Sequence, residues 1–197
     1  MSFSARIFVI GWVLLISASC DRATTDLPVT AAPLTESEKE RAAVIGAAAA
    51  KTLTESLGGQ LKAAMANGGP VAAIAVCRQV ALPLTHAAGN FVDGVTLRRV
   101  TLKARNPANE ADATDMAVLG AMQAQPEPEV AIRRVGETIR YYQPLAIAEV
   151  CLKCHGDPAT FPKELGAILA EKYPHDAATG YALGDLRGAI RVDIAEP

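Results

Sequence analysis

The chain is poor in aromatic residues, which make up 5% of it, and it has no basic stretch. A nucleic-acid interface needs clustered cation and stacking rings, so that class of partner is excluded. No run of like charge is long enough to make a disordered tail, and the formal net charge is only −2. No apolar run reaches the roughly 20 residues that cross a bilayer as a helix. There is no internal repeat. The 4 cysteines are an even count that would ordinarily suggest disulfides in an exported chain, and a zinc site is a weaker rival, since it wants four well-spaced ligands and only Cys77 is an obvious addition to the one close pair, Cys151 and Cys154. Half of the 197 residues are hydrophobic and a fifth charged, which fits a globular domain large enough for a real core.

What is present is concentrated in Cys151-Leu152-Lys153-Cys154-His155. This is the C-x-x-C-H pattern of covalent haem attachment, and with so few Cys and His a chance match is expected on the order of once in a thousand such chains. On a helix, Cys151 and Cys154 are i and i+3, and His155 is i+4 from Cys151, so all three share one face. Two thiols on one side can add to the haem vinyl groups while the imidazole of His155 reaches the iron. A Cys151–Cys154 redox pair or ordinary disulfides are the rival readings, and both leave His155 without a role. There is no second such motif, so one haem c per chain is expected.

The first twenty residues read as an export signal: a basic start at Arg6, an apolar run of about ten residues from Ile7 to Ile16, then small residues before Cys20. The small residues resemble the lipobox of bacterial lipoproteins, in which the cysteine is lipidated, although Ser17 stands where an aliphatic residue is preferred. Asp21 resembles the inner-membrane retention signal of such lipoproteins. The expected location is the periplasm, tethered by Cys20 to the inner membrane, with the membrane surface as a partner through that anchor. Residues 21–34, with Pro28 and Pro33, read as a flexible tether, and residues 35–197 as the haem-binding domain.

Thr35 and Glu38 form a capping box ahead of an Ala-rich amphipathic helix that runs to Asn67, where Asn67-Gly68-Gly69 stops it. Pro70 suits the first turn of a second helix over 71–82 that carries Cys77, with Pro83 ending or kinking it and His86 just beyond. Strands are expected over 95–103, 130–135, 138–147 and 186–194, the middle two forming a hairpin around Gly136-Glu137. Short helices are expected over 115–124 and 162–172. Connections between the strands are mostly too short for parallel crossovers, so the fold class is α+β with an antiparallel sheet, N-terminal helices and flanking short helices.

Function turns on the second axial position of the iron, for which Cys77, His86, His175, Met65, Met116 and Met122 are the candidates. Arg98, Arg99, Lys103 and Arg105 are candidates for the haem propionates, because guanidinium forks match carboxylates. Strand alternation sends Arg98 and Arg99 to opposite faces, so at most one of the two reaches a propionate. Arg105, supported by the Asn106-Pro107 turn, is the favoured contact and Arg99 the second.

Several segments resemble a family of single-haem c-type proteins with a PAS-like domain, known as stand-alone exported proteins and as periplasmic sensor modules of bacterial kinases. They are Ala75-Val76-Cys77 with Ala81-Leu82-Pro83, Leu97-Arg98-Arg99-Val100-Thr101-Leu102-Lys103-Ala104-Arg105-Asn106-Pro107-Ala108-Asn109, Tyr142-Gln143-Pro144-Leu145, Cys151 to Gly156, and Gly184-Asp185-Leu186-Arg187-Gly188-Ala189-Ile190. Together they span most of the chain from about residue 36 onward. The resemblance implies a PAS-like five-stranded antiparallel sheet and iron ligation by His155 and Cys77. It also implies a redox or small-ligand sensor, responsive to a small gas and read out by a separate signalling or redox protein. The alternative is a periplasmic electron-transfer cytochrome. Nothing in the sequence pairs a histidine with an arginine in the way a peroxidase-like enzyme requires, so a non-catalytic protein is expected.

Overall fold

A computed structural model describes residues 32–195; the expected export signal, Cys20 and most of the expected tether lie outside the described residues. Helix α1 (Glu36–Ala87) opens on the capping box expected from the sequence, with Thr35 Oγ1 accepting from the Glu38 amide and the Glu38 carboxylate accepting from the Thr35 amide. It runs straight through Gly58-Gly59 and breaks at Gly68-Gly69, where Gly69 takes φ 62, a backbone conformation open to glycine. Pro70 restarts the helix immediately. Of the two outcomes expected at Pro83, an end or a kink, the end does not occur: the helix continues to Ala87 and places His86 in its last turn. The hydrogen bond that Pro83 cannot donate would have gone to the carbonyl of Gln79, an exposed residue that water can serve. Beyond it, buried Thr85 and half-buried Leu84 hold the last turns down.

Strands β1 (Val95–Val100), β2 (Ala131–Val135), β3 (Thr138–Ala146) and β4 (Leu186–Ala195) form one antiparallel sheet in the order β1-β4-β3-β2. The β2–β3 hairpin turns at Gly136, φ 60, with Val135 opposite Thr138. Among the described residues the sheet has one strand fewer than the family resemblance implied. The free edge of β1 is flanked instead by the segment 106–110, which meets it through a Thr101–Glu110 bridge and through Arg98, without forming a strand ladder. The reason is local: Pro107 has no amide to donate, and Asn106 Oδ1 accepts from the Ala108 amide, so the chain curls into a short 3-10 turn (Pro107–Asn109) rather than extending. For the same reason β1 stops at Val100, three residues before its expected end.

Alternation along the strands builds two cores. Val95, Leu97, Ile139, Tyr141, Ile190, Val192 and Ile194 point to the face covered by the N-terminal half of α1, where Gly46 sits so close to the Tyr141 ring that a larger side chain would overlap it. Val100, Tyr142 and Ala189 point to the other face, covered by α2 (Ala113–Gln123). Helix α3 (Glu149–His155) and helix α4 (Lys163–Lys172) lie in the long connection between β3 and β4, and Leu165 and Leu169 of α4 pack on Ile74 of α1 beyond its break.

The α2 face is pinned by charge. Asp115 is fully buried and accepts from Arg191 Nη1 at 2.9 and 3.1 Å, from the Tyr142 hydroxyl at 2.8 Å, and from the Asp112 amide at 3.1 Å. Burial and the Asp115 carboxylate push the Tyr142 phenol well above its ordinary range. Removing one partner of a buried pair strands the other, so Asp115→Ala is expected to destabilise the domain by about 3–5 kcal/mol, read as a lower midpoint in urea unfolding. A loss below about 1 kcal/mol would mean that Arg191 finds water or another carboxylate.

Candidate functional site

The five-residue motif forms the body of α3, a helix of about two turns whose last turn carries His155 and Lys153, the latter a cation favourable at the negative end of the helix dipole. Helical spacing puts Cys151, Cys154 and His155 on one face, and all three line a single open cleft of about 910 Å³, counting its water-facing mouth. The opposite wall is α1 beyond and just before its break, with Leu61, Met65, Ala73, Ile74 and Cys77; the floor is Arg99 from β1 and Arg187 from β4. The cleft therefore gathers three thiols and one imidazole from residues more than seventy positions apart. The thiols are free. Burial pushes the Cys77 and Cys154 thiols up, while Arg99 and Arg105 pull Cys77 back toward the thiolate, and Arg105 does the same for Cys154.

His155 is oriented through its rear nitrogen. Nδ1 lies 2.7 Å from the carbonyl of Ala178, and because a carbonyl only accepts, Nδ1 carries the proton and Nε2 keeps a free lone pair. Burial, with the positive charge of Arg105 and Arg187 added, pulls the imidazole down to about 3, so it is neutral and available as a metal ligand.

The arginines divide their work differently from the expectation. Alternation holds for the first pair: Arg98 turns away and donates to the carbonyls of Ala108 and Glu110, whereas Arg99 enters the cleft and donates from Nε to Thr85 Oγ1 at 3.1 Å. Arg105 also lines the cleft, but its guanidinium is already engaged, with Nε donating to Asp176 Oδ2 at 2.8 Å and Nη2 to the Cys154 carbonyl at 2.6 Å. Arg187, which was not singled out from the sequence, takes the cleft-facing position instead; Nη1 donates to Thr101 Oγ1 at 2.8 Å and to the Lys103 carbonyl. Among the described residues neither Arg99 nor Arg187 has a carboxylate within ion-pair distance, and burial lowers the proton affinity of both. Two half-buried, unmatched guanidinium groups in one cleft call for an anion.

Of the other candidate ligands, only Met65 lines the cleft. Met122 is buried in the α2 core, Met116 is half exposed, and His86 and His175 are exposed. Asp176, Ala178 and Tyr173 are site residues that the sequence did not mark. Their segment reads as a loop, and a backbone carbonyl leaves no trace in residue type.

An α+β domain with a helical Cys-x-x-Cys-His facing a helix cysteine across a cationic cleft is the class of protein defined by this architecture. The model of the Tll0287-like family matches residues 31–195, and the chain belongs to that family, as the sequence resemblance implied. The crystal structure of the cyanobacterial heme-protein Tll0287 matches with a TM-score of 0.60 at 23% identity, over 83% of this chain and 98% of that one, a likeness of fold. No curated protein matches the chain.

The pH dependence of the haem-free chain follows from His155. The folded state keeps it neutral down to about 3, whereas the unfolded chain takes up a proton near the ordinary 6.5. The unfolded state then binds more protons, so stability is expected to fall as pH drops from 6.5 toward 3. Thermal unfolding of a His155→Asn variant should lose that part of the slope; an identical slope would show that His155 is protonated in the folded state.

Proposed function

We propose that the chain holds one covalent haem c in this cleft and acts as an exported redox or small-ligand sensor. The carrying observation is that Cys151, Cys154 and His155 face Cys77 across the same cavity. In this reading Cys151 and Cys154 form the thioethers, His155 offers Nε2 to the iron, and the Cys77 thiolate is the distal ligand. The donor set fits the group, and so do Arg99 and Arg187, whose unmatched charges suit two propionates. The fold neighbour described as a heme-protein adds to this support. Haem bound there supplies a one-electron iron couple and an axial position for a small gas.

Cys77 sits on α1 beyond the Gly68-Gly69 break, one turn from Ile74, which packs against Leu165 and Leu169 of α4. A thiolate that leaves the iron on reduction, or yields to a ligand, would release this segment and give a separate signalling protein something to read. We take the protein as non-catalytic: of the ionisable groups lining the cleft, the three thiols and the imidazole are committed to the haem in this reading, burial keeps the Tyr173 phenol protonated, and the arginines do not exchange protons near neutral pH. The second reading is a periplasmic electron-transfer cytochrome; the open mouth of the cleft beside half-exposed Val150, which would leave a haem edge accessible, favours it. Export and tethering to the inner membrane rest on residues 1–20 and on lipidation of Cys20.

Protein matured with a haem c assembly system should yield one thioether-linked haem per chain in a pyridine haemochrome assay; its absence ends the haem proposal. Cys77→Ala should convert the ferric spectrum from low-spin thiolate to high-spin or to ligation by another group, Met65 being the other candidate distal ligand that lines the cleft. An unchanged spectrum would remove Cys77 as a ligand. A ligand change on reduction favours sensing, and retention of both ligands favours electron transfer. Mass spectrometry of the mature N-terminus should find a diacylated Cys20; an unmodified terminus elsewhere would remove the anchor.

A further inference from the structure

The segment from Asp176 to Tyr181 runs as a strap past the end of α3. It is tied on by backbone bonds alone at several points: the Gly180 amide to the Gly156 carbonyl at 2.8 Å, the Tyr181 amide to the His155 carbonyl at 3.0 Å, and the Ala177 amide to the Ala104 carbonyl at 3.0 Å. Onto this strap converges a second, charged set of bonds that the backbone anchoring does not require. Asp176 accepts from Arg105 with Oδ2 at 2.8 Å and from the Ala178 amide with Oδ1 at 2.8 Å. Arg105 donates from Nη2 to both the Cys154 carbonyl, at 2.6 Å, and the Ala178 carbonyl, at 3.4 Å. The Ala178 carbonyl is the acceptor of the His155 Nδ1 proton. Ala178 is fully buried, and the Arg105 and Asp176 side chains are 9% and 11% exposed.

We propose that Arg105 and Asp176 are a positioning pair for His155, clamping the Ala178 carbonyl on Nδ1 and so setting the orientation and basicity of the imidazole toward the iron. This rests on the haem reading given above. Each partner grips the clamp from a different side: Asp176 holds the amide of Ala178, Arg105 its carbonyl and the neighbouring carbonyl of α3. A buried ion pair by itself adds little to stability compared with apolar residues of similar size. Here its geometry is spent on one carbonyl, and the partner on the rear nitrogen of a ligating histidine governs how strongly the front nitrogen donates. Arg105 also acts on His155 through its charge, alongside Arg187, so removing it changes the field as well as the clamp.

The decisive variant removes both charges together, Arg105→Gln with Asp176→Asn, in the full chain matured with haem. Net charge is unchanged, but Arg105 also acts on His155 through its charge, so the exchange of the Nδ1 proton, and not the midpoint potential, isolates the clamp. The Nδ1 proton, followed by nitrogen-15 NMR, is expected to exchange with solvent roughly tenfold faster, the scale of one lost hydrogen bond. An exchange rate equal to that of the parent would overturn the proposal, leaving the pair as a fold brace only. Asp176→Glu, which keeps the charge and can reach the same groups, should restore most of the parental exchange rate. If the double variant fails to fold, the single Asp176→Asn variant decides: faster exchange of the Nδ1 proton than in the parent supports the clamp and an unchanged rate overturns it. The same NMR measurement works on chains without attached haem. Failure to attach haem would therefore sink the functional reading, while the exchange rate would still judge the clamp.

Discussion

One guanidinium joins the parts of this fold that secondary structure leaves separate. Arg105 stands just beyond β1, the end of α3 lies after β3, and the strap that covers it precedes β4; no sheet ladder or helix connects the three. Arg105 reaches the Cys154 carbonyl at the end of α3 and Asp176 at the start of the strap. A carbonyl at a helix C-terminus has no partner within its helix, and a cation there satisfies both its hydrogen-bonding need and the end of the helix dipole. The cost of burying the guanidinium is offset because the partner carboxylate is buried beside it. The geometry of the Cys-x-x-Cys-His face depends on this junction, since α3 itself is too short to be stable alone and buries no residue of its own beyond the shared cleft.

The cleft also explains why α1 is broken where it is. Its first half must follow the sheet, where Ala42, Ala49, Ala50 and Leu53 pack against β3 and β4. Its second half must swing to meet α4 and bring Cys77 over α3. A straight helix cannot serve both surfaces. Gly68-Gly69 supplies the change of direction and Pro70 restarts the helix at no cost in hydrogen bonds, because a first-turn amide has no acceptor to lose. Charge is distributed with the same division. The α2 face balances Arg140 and Arg191 against Asp112, Asp115 and Asp193, whereas the cleft keeps Arg99 and Arg187 unbalanced. The first arrangement is suited to holding a fold, the second to receiving an anion.

Much of this was legible in advance. The capping box at Thr35, the Gly-Gly-Pro break, the hairpin at Gly136 and the last strand follow from local chemistry, and local chemistry is what a sequence displays. The misreadings share one cause. Pro83 breaks a helix in isolation but not where packing at Thr85 and Leu84 outweighs one bond lost at an exposed turn. Residues 101–103 have the composition of a strand but lack a partner, because the Asn106-Pro107 turn curls away from the edge they would need. Arg105 lines the cleft, as a propionate contact would, and is also held by Asp176, seventy-one residues ahead, a partner with no local signal. Each time a distant contact decided between two locally acceptable outcomes.

By itself, then, the sequence determined the elements, the antiparallel class and the residue set able to attach a haem, because capping, turn formation and i, i+3, i+4 spacing act over a few residues. It also placed Arg98 and Arg99 on opposite faces through strand alternation. Only the tertiary structure decided that Cys77 and Met65, alone among the candidate distal ligands, share a cleft with His155. It decided too that Arg187 joins Arg99 and Arg105 in lining the cleft, and that Arg105 is tied to Asp176 as well. Such outcomes depend on which carboxylates and carbonyls come within about 3 Å of a side chain once distant segments pack, and at that range a single competing partner changes the role of a charge.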